Sequence, residues 1–129
     1  MNTSTSNTIT QTYLAGLAEA SLEEILDLFA ENGQVISPLY GKMDARSFYT
    51  ALFQDTKRSK VELIEAFPHP DKEQLALYFN YRWTMEHGTE VEFDVVDIIE
   101  CNTHQKIERL TIIYDTQHTR NAFGQLNQE

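Results

Sequence analysis

The segment VEFDVVDIIEC, residues 91–101, carries the residue of this chain best suited to unusual chemistry. Side chains alternate across a strand, so Val91, Phe93, Val95, Asp97, Ile99 and Cys101 share one face. Glu92, Asp94, Val96, Ile98 and Glu100 share the other. Glu92 and Asp94 stand where solvent-facing acids belong, whereas Asp97 interrupts an apolar row. A carboxyl in that place must be paired, protonated or facing a cavity, because an isolated buried charge is too costly. Paired with an Arg or with backbone donors it is structural. Kept neutral, it is a hydrogen-bond donor.

Other constellations that carry chemistry are missing from the sequence. It has no glycine-rich phosphate loop, no G-x-S-x-G and no paired-cysteine zinc motif. His69, His87, His104 and His118 fall in or beside predicted turns or at a strand end, and no two have the i, i+4 spacing of ligands on a helix. They are expected to be exposed loop residues, with no metal site and no cofactor.

The elements that must position Asp97 follow from periodicity. Residues 1–7 are expected to be a disordered tail. From Thr8, Ile9, Tyr13 and Leu17 recur at i, i+4 spacing, with Leu14 beside them, which predicts a helix. Ser21 and Glu24 form a capping-box pattern ahead of the stripe Leu22, Ile25, Leu26 and Phe29. In "ENG", Gly33 is expected to end that second helix in the left-handed conformation. "QVISPLYG" reads as a short strand broken by Pro38 and Gly41, and Asp44 as the cap of a third helix, "ARSFYTALFQ". After Lys60 the period changes to 2, giving strands at about 60–67, 73–86, 90–101 and 106–117 with hairpin connections. Helices followed by an antiparallel meander predict an α+β domain with the helices on one face of a curved sheet.

Composition narrows the function classes. The chain has 129 residues, 41% hydrophobic and 11% aromatic, which suits one folded domain with a moderate core. Ten Lys plus Arg against twenty Asp plus Glu give a formal charge of −10, which argues against nucleic acid or anionic membrane as partner. Cys101 is the sole cysteine, so a reducing, cytoplasmic setting is expected. The opening "MNTSTSN" lacks the charged and apolar regions of a secretory leader, and no apolar run approaches the roughly 18 residues of a membrane span.

The order helix, helix, "FAENGQVISPLYG", helix, four-stranded meander resembles the NTF2-like (cystatin-like) cone, and within it the SnoaL-like and ketosteroid-isomerase-like branch. The resemblance spans about residues 8–118, with 119–129 as a C-terminal tail. It implies an oxyanion site in which Tyr13 of "QTYLAGL" and a protonated Asp97 of "DVVD" donate to a substrate oxygen, as neutral acids can. It implies that Tyr49 of "SFYTAL" supports Tyr13, and that Tyr114 of "IIYD" lines the pocket in place of a tryptophan. The family's general base falls at Ser37 of "VISP", which has no useful basicity near neutral pH. Steroid isomerisation by the family mechanism is therefore not expected. Phe29 replaces a further tyrosine of the supporting network, and Asp115 is the best candidate for the missing base. The Asp-Arg-Asp cluster of limonene-epoxide hydrolases is absent, since Val95 takes the Arg position.

In the family register Tyr78, Asn80 and Arg82 face the pocket, where Arg82 is placed to pair with Asp97. Leu75, Leu77, Phe79, Tyr81, Trp83 and Met85 then fall on the outer face and need a second subunit to cover them. The resemblance thus implies a homodimer holding a small hydrophobic ligand. It implies in turn either an isomerase, cyclase or lyase acting on a carbonyl compound, or a non-catalytic ligand-binding or dimerisation domain.

Overall fold

The computed structural model describes residues 1–128. The elements run α1 (Thr3–Glu19), α2 (Leu22–Leu26), β1 (Phe29–Ser37), β2 (Gly41–Asp44), α3 (Ala45–Gln54), β3 (Thr56–Pro68), β4 (Gln74–Met85), β5 (Glu90–Cys101), β6 (Ile107–Ile113) and α4 (Gln117–Gln128). The strands form a single six-stranded sheet in the order β2-β1-β6-β5-β4-β3. The meander β3 to β6 is antiparallel, as expected. The sheet as a whole is mixed, because β1 returns to lie parallel to β6.

The α1 stripe is buried as its spacing predicts, whereas α2 stops at Leu26, buries only Ile25 and leaves Phe29 to begin β1. Ile9, Tyr13, Gly16 and Leu17 form the inner face of α1. A Cβ at Gly16 would lie 2.5 Å from Ile25 Cγ1, so a glycine there lets α2 pack directly on α1. Asp44 caps α3 by accepting from Ser47 N at 3.0 Å. Ser21 makes no side-chain cap to α2, so the capping box expected there does not form.

Four expectations are corrected. Asn2 Oδ1 accepts from Thr5 N at 2.8 Å, and the chain is helical from Thr3 rather than a tail to Asn7. The polar run hides that turn, although Ser6 is buried. Gly33 is no left-handed helix stop but part of β1, where a Cβ would meet Ile107 O at 2.8 Å. The tail expected from residue 119 lies within α4, whose Ala122 is buried and whose Phe123 ring sits 4.9 Å from that of Tyr40. Glu129, and the side chain of His118, lie outside the described residues.

The fourth correction concerns β4. Leu77 stands opposite Asp97, and Tyr81 opposite Phe93. Directly opposed residues share a face, so Leu75, Leu77, Phe79, Tyr81, Trp83 and Met85 point inward with Asp97. All six are buried by the chain's own helices and strands, and need no second subunit to cover them. Tyr78, Asn80 and Arg82 therefore point to the outer face. No described helix is long and apolar enough to cross a membrane.

Candidate functional site

Between the helices and the inner sheet face lies a cavity of about 50 Å³. Tyr13 enters from α1, Ser37 from β1, Asp97 from β5, and Tyr114 from just beyond β6. Phe79, Tyr81 and Trp83 of β4 form one wall and Phe93 of β5 continues it, stacked on Tyr114 at 4.3 Å. Tyr40, in the turn between β1 and β2, lies across from them with Phe48 of α3 behind it, their ring centroids 5.4 Å apart.

Asp97 is 1% exposed, and its Oδ1 has no hydrogen-bond partner. Burial pushes its carboxyl up to about 8, and the nearby Tyr13 hydroxyl opposes this only in part. A group with that value is mostly neutral at pH 7. The Tyr13 hydroxyl shares a 2.8 Å hydrogen bond with Tyr49, also fully buried. Tyr13 is held well above the usual phenol range by burial first and by the Asp97 charge second, and the same two causes raise Tyr49. All three groups therefore stay protonated near neutrality. Between them they hold protons that can be turned toward a bound oxygen.

The remaining candidate residues divide into two groups. Ser37 is 8% exposed and its Oγ accepts from Tyr40 N at 2.9 Å, an arrangement that fixes the turn and leaves the hydroxyl proton free. Phe29 packs behind Tyr49, with ring centroids 5.8 Å apart, and does not line the cavity. Tyr78 and Arg82 are on the outer face, contrary to the family register. Arg82 pairs there with Glu92 at 3.4 Å and Glu90 at 3.7 Å, so it is no counter-ion for Asp97. Asp115 is exposed and accepts from Gln117 N at 3.0 Å, which starts α4 and takes this carboxylate out of the cavity.

Sequence reasoning missed the tethering of the aromatic wall. Tyr40 Oη donates to Asp55 Oδ2 at 2.6 Å, Trp83 Nε1 donates to Thr56 Oγ1 at 2.8 Å, and Tyr81 Oη bonds Ser59 Oγ at 2.9 Å. Three polar heads are thus tied to the α3–β3 junction. No local pattern announces such pairs, which join separate elements. Burial raises the Tyr81 and Tyr114 phenols to about 12. Among the described residues no three His, Cys, Asp or Glu side chains converge as a metal set.

No protein-family model matches the sequence, and no curated protein is significantly similar to it. Solved structures match its fold over most of their length. An NTF2-like protein of unknown function from Burkholderia pseudomallei K96243 is 12% identical, with a TM-score of 0.79 over 94% of this chain and 97% of that one. A SnoaL-like protein of unknown function from Burkholderia thailandensis E264 is 10% identical, with a TM-score of 0.70 over 89% and 98%. TerC, crystallised with polyporic acid, is 18% identical, with a TM-score of 0.74 over 97% and 99%. With helices packed on a six-stranded, mixed sheet and neighbours of this kind, the chain has the NTF2-like fold.

Proposed function

We propose that the cavity binds a small, largely apolar compound through one carbonyl, enol or phenol oxygen, received by Tyr13 and protonated Asp97. The observation that carries this reading is the buried, unpartnered Asp97 Oδ1 at a cavity otherwise walled by aromatic and aliphatic side chains. A neutral acid in such surroundings stabilises negative charge on a ligand oxygen better than water does. The co-crystal of TerC with polyporic acid supports a small-molecule occupant in this fold. At about 50 Å³ the cavity is well below the roughly 150 Å³ that admits benzene, so a single-ring compound enters only as the aromatic wall moves aside.

On this reading the reaction, if a proton is moved, is an isomerase, cyclase or lyase step through an enolate. A second reading, ligand binding without turnover, is favoured by the placement of Asp115 outside the cavity and by the serine at position 37. Titrating wild type and variants with phenol and 4-fluorophenol tests the site. Asp97→Ala is expected to weaken binding by roughly 5- to 100-fold, the value of a charge-assisted hydrogen bond of about 1–3 kcal/mol. Equal affinity in wild type and variant would remove Asp97 from the site.

We also propose that the protein pairs with a second copy through the outer face of the sheet. The row Phe67, Ala76, Ile98, Thr111 and Ile36 lies beside the row Tyr78, Val96 and Ile113. Phe67 is 56% exposed and Ile113 54%. Polar rows flank this strip, Asn80–Asp94 on one side and Glu100–Arg109 on the other, the core-and-rim anatomy of an interface. Sedimentation at micromolar concentration checks it: a dimer is expected, dissociated by Ile113→Lys, and a monomeric wild type would contradict it. The free thiol of Cys101 suits a cytoplasmic setting.

A further inference from the structure

The site just proposed holds protons but has no evident acceptor for one. Ser37 is not basic, Asp115 faces solvent, and Asp97 is the only carboxyl that lines the cavity among the described residues. Three tethered aromatics border the same cavity. Trp83 and Tyr81 end on hydroxyls, those of Thr56 and Ser59, which cannot take up a proton near neutral pH. Tyr40 ends on a carboxylate. Its hydroxyl donates to Asp55 Oδ2 at 2.6 Å, a length typical of a charge-assisted O–H···O⁻ bond. Tyr40 lines the cavity, while Asp55, at the C-cap of α3, is half-buried and open to water.

We propose that Tyr40 and Asp55 form a proton exit from the cavity, Tyr40 acting as the immediate acceptor and Asp55 acting through it. The proposal rests on the oxyanion reading of Tyr13 and Asp97. A C–H bond next to the ligand carbonyl breaks, and its proton goes to Tyr40 Oη. In the same step the proton already on Oη passes to Asp55 Oδ2. The electron pair of the C–H bond moves to the carbonyl oxygen, held by Tyr13 and Asp97. Asp55 then returns its proton to a different carbon through Tyr40, or exchanges it with water.

The two transfers must be concerted. Burial, then the bond to Asp55, holds the Tyr40 phenol far above its ordinary value, so a free tyrosinate is strongly disfavoured. Passing one proton on as another arrives avoids that species. The surrounding packing keeps the relay aligned. The Tyr40 ring is gripped by Phe48 at 5.4 Å and by Phe123 of α4 at 4.9 Å, both edge to face. The Ser37 Oγ bond to Tyr40 N fixes its backbone at 2.9 Å. The serine at the family's base position thus positions the residue that takes over the role.

The test is exchange of the α-hydrogens of cyclohexanone in D₂O, followed by proton NMR, with phenol affinity measured in parallel. Wild type is expected to accelerate exchange above buffer. Asp55→Asn keeps an acceptor for the Tyr40 hydroxyl but cannot take its proton, and Tyr40→Phe keeps the ring. Each is expected to lose about 100-fold or more of the accelerated rate. Phenol affinity should stay within about twofold in Asp55→Asn, which lies outside the cavity wall, and Asp55→Glu should recover part of the rate. Full exchange in Asp55→Asn or Tyr40→Phe overturns the relay while leaving the oxyanion site intact. A wild type that binds phenol but does not accelerate exchange also overturns the relay and favours binding without turnover. A wild type that binds no phenol overturns the oxyanion reading and the relay with it.

Discussion

Asp94 and Asp97 lie three residues apart on the same strand and have opposite fates. Asp94 is exposed and accepts from Asn80 Nδ2 at 3.1 Å across the outer face. Asp97 is buried opposite Leu77, with an oxygen that has no partner and a carboxyl pushed up to about 8. An odd spacing on a pleated strand is enough to send two identical side chains to water and to an apolar cavity. The outer face is laced with exposed polar and ionic pairs of small net value. The inner face concentrates the aromatic core and a single costly acid. Stability comes from most of that inner face, and Asp97 subtracts from it.

The largest effect is expected from the inner wall. Trp83→Ala removes a side chain that is 2% exposed, together with its bond to Thr56, and should destabilise the fold by about 3–5 kcal/mol in urea. The equivalent deletion outside, Tyr78→Ala, should cost clearly less on the half-buried face.

Asp97→Asn should act in the opposite direction. The folded carboxyl value, about 8, lies above the unfolded value near 4. The folded state therefore binds the extra proton, and its penalty is absent below pH 4, grows between pH 4 and 8, and is constant above. The substitution should stabilise the protein by up to about 5 kcal/mol at pH 8 and by little at pH 4. Asp94→Asn, on the outer face, should change stability by less than about 0.5 kcal/mol. Thermal melts of both variants across that window separate the two acids. An Asp97→Asn variant destabilised at pH 8 would mean that the carboxylate is ionised and paired.

A smaller effect belongs to the support behind Tyr13. Tyr49→Phe keeps the ring contacts with Phe48 and Phe29 and deletes the 2.8 Å bond to Tyr13. It should cost about 1 kcal/mol and leave the Tyr13 hydroxyl to Asp97 or the ligand.

Much of this inner face was legible in the sequence, for identifiable reasons. The α1 stripe through Tyr13 and the apolar row around Asp97 are local periodicities, and both survive folding. The side to which β4 turns is not local. Each strand alternates by itself, but only the pairing of Leu77 with Asp97 fixes their relative phase, and that depends on the Met85–Glu90 turn. "FAENG" has the grammar of a helix stop, and it becomes a strand because β6 lies beside it. Asp115 reads in sequence as a strand-end acid, and its role follows from α4 beginning two residues later. The Tyr40–Asp55 bond, between residues fifteen apart, has no periodic signature at all.

The central claim, a neutral carboxyl aimed into the cavity, is tested most directly by carboxyl carbon NMR. Aspartate-labelled protein titrated from pH 3 to 10, with Asp97→Asn to assign the resonance, reads the protonation state without any ligand. The account predicts an Asp97 signal of the protonated form at pH 6 that titrates near 8. An Asp97 signal that is fully ionised at pH 6 would contradict it.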